Sequence, residues 1–518
     1  MPASAGRYYL TSPIYYVNAA PHIGHFYTTL ACDVLARFMR LDGREVRFLT
    51  GTDEHGQKIE AAAKSAGQEV KHYCDGIAEK FKSMSQILGS THDDFIRTTE
   101  QRHIKAVQAL WQKLQEKGDI YLGSYAGWYA VRDEAFYGEN ELTLGPDGVK
   151  RAPSGAEVAW VEEPSYFFRL SAWQDKLLEF YTANPDFVLP TSRRNEVLSF
   201  VKNGLTDLSI SRTSFKWGIP VPGDPNHVMY VWLDALTNYI SALGYPDQDS
   251  ALFKKFWPAD LHMVGKDILR FHAIYWPAFL MAADLPVPHR VYAHGWWTNE
   301  GQKMSKSLAN VIEPAALVGK YGLDAVRFFL LRELPFGSDG DFSHRAMVNR
   351  MNSELANDLG NLLQRVLAMV AKNCEGKTPQ PGKFTPEDET ILAQSKALYS
   401  SVKAAIERQQ FHEVLETIWV VIRAANGYVA AMAPWELRKT DSARMSTVLY
   451  VAAEVARPIA LLLQPFMPDA TAKMLNILGV AAEHRTFATI NQSLVPGTSL
   501  PVPVPVFPRF VEEESPKL

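Results

Sequence analysis

Between residues 7 and 56 the chain changes its apolar period twice, and that alternation limits the fold more than any other feature. "RYYLTSPIYY" (7–16) is β-rich and broken by Pro13, whereas "HIGHFYTTLACDVLARFMRL" sets Phe26, Leu30, Val34, Leu35 and Phe38 three and four residues apart. "EVRFLTGTDEHG" then returns to a strand closed by a polar turn. Strand, helix and strand in so short a span make a βαβ unit, and such units build a parallel sheet. From 119 to 211 the texture turns to aromatic, strand-like pieces such as "YAGWYAV" and "EPSYFFRL" around the turn-rich "LGPDGVKRAPSGAE", which reads as an insertion. The alternation resumes over 212–292 in "HVMYVWLDALTNYISAL" and "LHMVGKDILRFHAIYWPAFLMAA", so one α/β sheet is assembled from two blocks, 1–118 and 212–292. A linking segment (293–345) follows. Ile391, Leu392, Leu398, Val402, Ala405 and Ile406 repeat at helical spacing, which predicts an all-α domain over 346–500. The prolines of "LPVPVPVFPRF" make the tail, 501–518, extended.

A chain of 518 residues, 47% hydrophobic and with no apolar run long enough to span a bilayer, reads as a soluble globular protein of several domains. "MPASAGRYYL" has neither an apolar signal segment nor an Arg-rich one, so a cytoplasmic location is expected. Cys32, Cys74 and Cys374 are too few and too scattered for a disulfide framework or a four-thiolate zinc site. A net charge of -4 marks no general affinity for polyanions, so a nucleic-acid partner needs a local surface.

"PHIGH" (21–25) opens the first helix with two imidazoles around one glycine. Pro21 suits a first helical turn, and His22 and His25, three apart, share one face. A helix start beyond a parallel strand offers free N–H groups and positive dipole to a phosphate, and Gly24 lets a flat base lie on the backbone. A metal site lacks the adjacent glutamate or thiolate it would need, and an ordinary helix start remains open for this motif alone. "GQKMSKSLANVI" supplies a second feature: Lys303 and Lys306 on a Ser-rich loop can meet the charge that develops on a triphosphate.

"HIGH" and "KMSKS", in this order across a split sheet, resemble the two signature motifs of class I aminoacyl-tRNA synthetases. "SPIYYVNAAPHIGH", "TGTDEHG", "YVWLDALTNYI" and "GKDILRFH" resemble the methionyl-tRNA synthetases in particular, and the likeness covers nearly the whole chain. The resemblance implies a Rossmann-like parallel sheet split by a connective insertion, a linking subdomain bearing the KMSKS loop, and a helical-bundle anticodon-binding domain. It implies activation of L-methionine by ATP, with Mg²⁺, to methionyl-adenylate and transfer to the terminal adenosine of tRNA(Met), including the initiator. His22, His25, Lys303 and Lys306 would be catalytic, and Gly24, Gly265, Asp267, His294, Trp296 and Lys306 would bind ATP. The methionine pocket would comprise Ile14, Tyr16, Asp53, Arg212, Trp232, Ala235, Leu236, Tyr239, Ile268 and His272. Of these, Asp53 would accept the substrate ammonium with Arg212 holding it, and the Tyr16 hydroxyl and His272 would reach the sulfur. Asn361, Arg365, Pro434 and Trp435, in "NDLGNLLQR" and "APWEL", would meet the anticodon, an indole stacking on an unpaired base while Asn and Arg bond its edges.

The sequence departs from that family's pattern in places. Ala130 and Asp133 stand where many relatives carry zinc-knuckle cysteines, so no structural zinc is expected and the insertion must cohere by packing. Leu236 stands where several relatives have proline. The chain stops soon after the helical domain, which favours a monomer. The competing reading is a small-molecule nucleotidyltransferase of the same superfamily that binds no tRNA; such enzymes are much shorter. Under the first reading, Lys306→Ala slows ATP–pyrophosphate exchange by about a hundredfold or more, the scale of losing one preorganised charge, while methionine affinity stays near wild type.

Overall fold

The computed structural model describes residues 6–133, 135–302 and 311–512. Six parallel strands form the central sheet: β1 (Arg7–Tyr16), β2 (Glu45–Asp53), β3 (Asp94–Arg97), β4 (Val188–Leu189), β5 (Leu261–Gly265) and β6 (Val291–His294). Their spatial order is β3-β2-β1-β5-β6-β4. The order reverses between β1 and β5, and in open parallel sheets the crevice beyond the carboxyl ends at that reversal is where ligands sit. β1 leads into helix α1 (Ile23–Leu41), while Asp53, Gly265 and His294 close β2, β5 and β6. Four strand ends therefore converge on one crevice.

The insertion differs from its expected limits at one point. Residues 120–168 and 208–209 form a separate antiparallel sheet, but within the span 119–211 the chain returns to the main sheet, where β4 pairs with β6. A strand of two residues has no readable period, so only its partner reveals it. The insertion's own small core comprises Ala130, Ala152, Ala156 and Val158, with Trp128, Tyr137 and Leu142 at its margin. Asp133 accepts hydrogen bonds from the Tyr137 hydroxyl (2.9 Å) and from Ser154.

Helix 344–373 opens the helical domain, passing through a wider π segment at 351–360, and Pro386–Glu407, Phe411–Met432 and Ser442–Leu463 pack as its core. Two segments here, Phe411–Thr440 and Ser442–Leu463, are long and apolar enough to cross a membrane by length and composition, which corrects the expectation from sequence. Ser442–Leu463 is almost wholly buried at the bundle centre, so its apolar surface faces neighbouring helices. Over its described residues, 501–512, the tail has no helix or strand, and Phe507 and Phe510 pack against the shared core.

One apolar cluster runs from α1 through the linking helix α2 (Leu323–Arg332) into the bundle. At its centre a fully buried ion pair fixes the three parts: Arg327 Nη2 donates to Asp33 Oδ2 at 2.7 Å. Asp33 also receives Arg37 Nε and both the N–H and hydroxyl of Thr91, each at 2.8 Å. Arg327 spends its other N–H groups on the carbonyls of Phe466 (2.9 Å), Pro465 (2.7 Å) and Leu88 (3.1 Å). Burial pushes the Asp33 carboxyl upward, but Arg327 and Arg37 outweigh it and hold the group below the usual carboxylate range. Arg327→Met strands a buried carboxylate and is expected to cost about 3–5 kcal/mol in urea unfolding, with the D33N/R327M double variant losing less than the two single variants combined.

Candidate active site

The crevice holds a cavity of about 730 Å³. Its apolar end is lined by Ile14, Tyr16, Trp232, Ala235, Leu236, Tyr239, Ile268 and His272, and its polar end by His22, Gly24, His25, Gly265, Asp267, His294 and Trp296. Asp53 lies on the wall between, only 6% exposed. Lys303 and Lys306 lie outside the described residues.

The two histidines do not both stand on the helix. His22 is the N-cap, with extended φ of -133°, and α1 begins at Ile23, so Pro21 precedes the cap instead of occupying the first turn. The Gly24 N–H donates to His22 Nδ1 at 3.1 Å and the His22 N–H donates to His25 Nδ1 at 3.2 Å, a reciprocal capping pair made of imidazoles. A ring whose Nδ1 accepts a hydrogen bond carries its proton on Nε2 when neutral. Each histidine is thus set as an Nε2–H donor. A Cβ on Gly24 would come within 2.9 Å of the His22 ring, so this glycine is required by the cap itself, a reason beyond room for a base. Burial, then the neighbouring His22, hold the His25 ring well below its ordinary range and therefore neutral.

The apolar end rests on a second layer of polar side chains. The Ile268 carbonyl, which can only accept, lies 2.9 Å from His272 Nδ1, so that nitrogen is the donor and Nε2 accepts the Tyr239 hydroxyl at 2.6 Å. Burial lowers the His272 pKa to about 4. Both ring nitrogens are thus engaged within the protein, and His272 orients Tyr239. His262 stacks on the Tyr239 ring (4.1 Å between centroids) and is itself held by Thr11 and the Trp276 indole. Trp232 stacks on Phe271 at an interplanar angle of 12°.

In "TGTDEHG" the three charged residues part company. Asp53 faces the cavity, whereas Glu54 is buried and clamped by Arg97 (2.6 and 3.0 Å), and His55 bonds Asp234 at 2.6 Å. Arg212 does not line the cavity; its guanidinium donates to Ser209 and to the Ser211 carbonyl, pairs with Glu163 at 3.7 Å, and lies 4.1 Å from the Tyr230 ring centroid. His294 contacts Thr28 of α1 at 2.7 Å, tying β6 to the helix start.

Sequence reasoning missed several lining residues: Thr28, Lys58, Asp133, Tyr137, Phe271 and Trp297. Phe271 was recoverable, since it stands three residues from Ile268 on the same helical face. Asp133 and Tyr137 were not, because they reach the cavity only through the insertion's fold. Away from the crevice, Arg365 lies 5.3 Å from the ring centroid of the exposed Trp435, with Pro434 buried beside it and Asn361 one turn before Arg365. Among the described residues no group of three His, Cys, Asp or Glu could hold a metal ion.

Residues 8–157 and 147–367 match the family described as tRNA synthetases class I (M), and 378–517 match the anticodon binding domain of methionyl tRNA ligase. The chain is 57% identical over 512 residues to the methionine–tRNA ligase of Brucella suis, covering 99% of each. To that of Rickettsia bellii it is 56% identical over 510 residues, covering 98% of this chain and 99% of the relative. Mycobacterium tuberculosis methionyl-tRNA synthetase in complex with methionyl-adenylate superposes with a TM-score of 0.95 at 53% identity, over 97% of this chain and 100% of that one. The free state of the same mycobacterial enzyme gives 0.90 at 49% identity, over 99% and 100%.

With its Nδ1 engaged and its surroundings apolar, His25 is expected to stay neutral at pH 6, where an exposed histidine is largely charged. Histidine-selective ¹⁵N spectra should show the Nε2–H tautomer unchanged between pH 7.5 and 6, and His25→Ala should slow adenylate formation by about a hundredfold or more.

Proposed function

The chain belongs to the methionyl-tRNA synthetases of class I, and from that membership we propose how its cavity carries out their reaction. The protein is a methionine–tRNA ligase: it activates L-methionine with ATP to methionyl-adenylate and passes the methionyl group to tRNA. The single observation that carries the assignment of roles is one cavity joining an aromatic, thioether-sized end to a donor-rich end at the sheet's reversal point.

In our reading methionine enters with its side chain between Trp232, Leu236 and Tyr239, whose faces suit a flexible, polarizable sulfur, and with its ammonium toward Asp53. Adenosine lies along Gly265, Asp267, His294 and Trp296, the Asp267 carboxylate accepting from the ribose hydroxyls. A methionine carboxylate oxygen attacks the α-phosphorus, the bond to the bridging oxygen breaks, and pyrophosphate leaves with that electron pair. The Nε2–H groups of His22 and His25 donate to the phosphate oxygens as charge shifts onto them, and the neutral His25 ring spares the site the cost of burying an imidazolium ion. Lys303 and Lys306, by their sequence motif, add positive charge. Mg²⁺ would neutralise charge on the triphosphate and arrive with ATP.

Trp435, Arg365, Asn361 and Pro434 form the anticodon contact in this reading, and the acceptor is tRNA(Met), initiator form included. By the sequence reading the protein acts as a monomer in the cytoplasm. The match of the helical domain to an anticodon-binding family disfavours a tRNA-independent nucleotidyltransferase. ATP–pyrophosphate exchange assayed with each amino acid should respond to methionine and need no tRNA. Trp435→Ala should leave that exchange intact and reduce aminoacylation by about tenfold or more, the scale of one lost base stack; exchange that fails with methionine would refute the function.

A further inference from the structure

The nucleotide end of the cavity is held from behind by a turn that none of the motifs above includes. "SDGD" (338–341) follows α2 and runs into the strand β8 (Gly340–Phe342), which pairs in parallel with β7 (Trp297–Asn299), the ribbon that continues from β6. A Cβ on Gly295 would overlap the Ser338 carbonyl, so the turn presses directly on the backbone beside His294.

The Asp339 carboxylate bridges the two loops that border the adenosine side. Its Oδ1 accepts the Trp296 backbone N–H at 2.8 Å, and Lys266 Nζ donates to Oδ1 at 2.8 Å and to Oδ2 at 2.6 Å. Partial burial pushes this carboxyl upward, but the bonds from Lys266 and Trp296 outweigh that and hold it below the ordinary carboxylate range. The same Lys266 ammonium sits 4.2 Å from the centroid of the Trp296 ring. The indole Nε1–H in turn points at Asp267 Oδ1, 3.4 Å away. Two residues on, Asp341 accepts from the Thr298 hydroxyl (2.6 Å) and the Gly301 N–H (2.8 Å), securing the far end of the same ribbon.

Asp339 does not line the cavity, while Asp267 and Trp296 do. We propose that Asp339 is a positioning residue for ATP: through Lys266 and the Trp296 backbone it sets the Trp296 indole, and through the indole it orients the Asp267 carboxylate toward the ribose. This rests on the reading of Asp267 as the ribose contact. Without the Asp339 charge, the Lys266 ammonium and the Trp296 N–H lose this shared acceptor, so the nucleotide end loosens, while the methionine end, most of whose lining comes from β1 and the helix Val231–Ser241, does not.

Exchange kinetics of the full chain with ATP and 2′-deoxyATP test this in wild type, D339N, D339E and D267N. D339N is expected to raise the KM for ATP about tenfold, the scale of losing one charge-assisted hydrogen bond. It should leave the KM for methionine and the thermal midpoint near wild type, and should shrink the preference for ATP over 2′-deoxyATP; D339E should recover part of each loss. If D267N keeps the full ATP preference, the ribose reading fails, and the proposal then stands or falls on the D339N effect on the KM for ATP alone. If D267N abolishes the preference while D339N behaves as wild type, the ribose reading survives and the proposal is overturned. A D339N protein in which both KM values rise together with a lowered thermal midpoint would mark a merely structural residue and overturn it as well. Should D339N not fold, K266Q removes the same ion pair and is judged by the same outcomes.

Discussion

The buried pair of Asp33 and Arg327 is the contact on which the rest of the arrangement depends, because α1 has two tasks that meet in it. At its amino end the helix carries the His22 and His25 cap; three turns further on, Asp33 ties it to the linking helix and, through Arg327, to the Pro465 and Phe466 carbonyls of the helical domain. Taking two charges out of water is costly unless every donor and acceptor finds a partner. Here Asp33 and Arg327 meet seven directional bonds between them, counting their shared one, and that requirement admits one placement of α1 where apolar packing alone would tolerate sliding. The active-site histidines inherit this fixed placement.

Within the crevice the same rule of satisfied buried polar groups produces neutral chemistry. His25, His262 and His272 are all held below the ordinary histidine range by burial; partners engage both ring nitrogens of His262 and His272 and Nδ1 of His25. Asp234, shared between His55 and His103, is the complement: burial raises its pKa, but His55 and His103 outweigh that and bring it down to about 2. Charge is therefore kept in the wall behind the cavity, where it fixes the "TGTDEHG" turn, and Asp53 alone of that turn's acids lines the cavity. In our reading, positive charge for the phosphates comes from Lys303 and Lys306 of "KMSKS".

Much of the site was legible in the sequence because its residues cluster at the ends of strands, and a strand end followed by a helix start has a local signature. "PHIGH", "TGTDEHG" and "GKD" all fall at such ends, and the chain brings them together simply by forming a parallel sheet. What failed to show was of a different kind. β4 is too short to have a period, the reach of Asp133 and Tyr137 depends on how the insertion folds over, and the Glu163 partner of Arg212 lies across an antiparallel pair far away in sequence. The apolar Ser442–Leu463 helix likewise reads as a membrane segment or a core helix with equal right until its neighbours are known.

By itself, then, the sequence determined the α/β sheet with its interruption, the helical domain, and which residue types stand at the crevice, since these follow from periodicity and from motifs confined to a few consecutive residues. The tertiary structure alone decided what each of them does there: that His22 caps the helix and His25 caps it in return, that Gly24 makes room for the His22 ring, that His272 serves Tyr239, and that Asp339 bridges Lys266 and Trp296 from a distant turn. The physical reason is that a hydrogen bond or an ion pair is specified by distance and direction between groups that may be far apart along the chain, whereas the pattern of a strand or helix is written in neighbours.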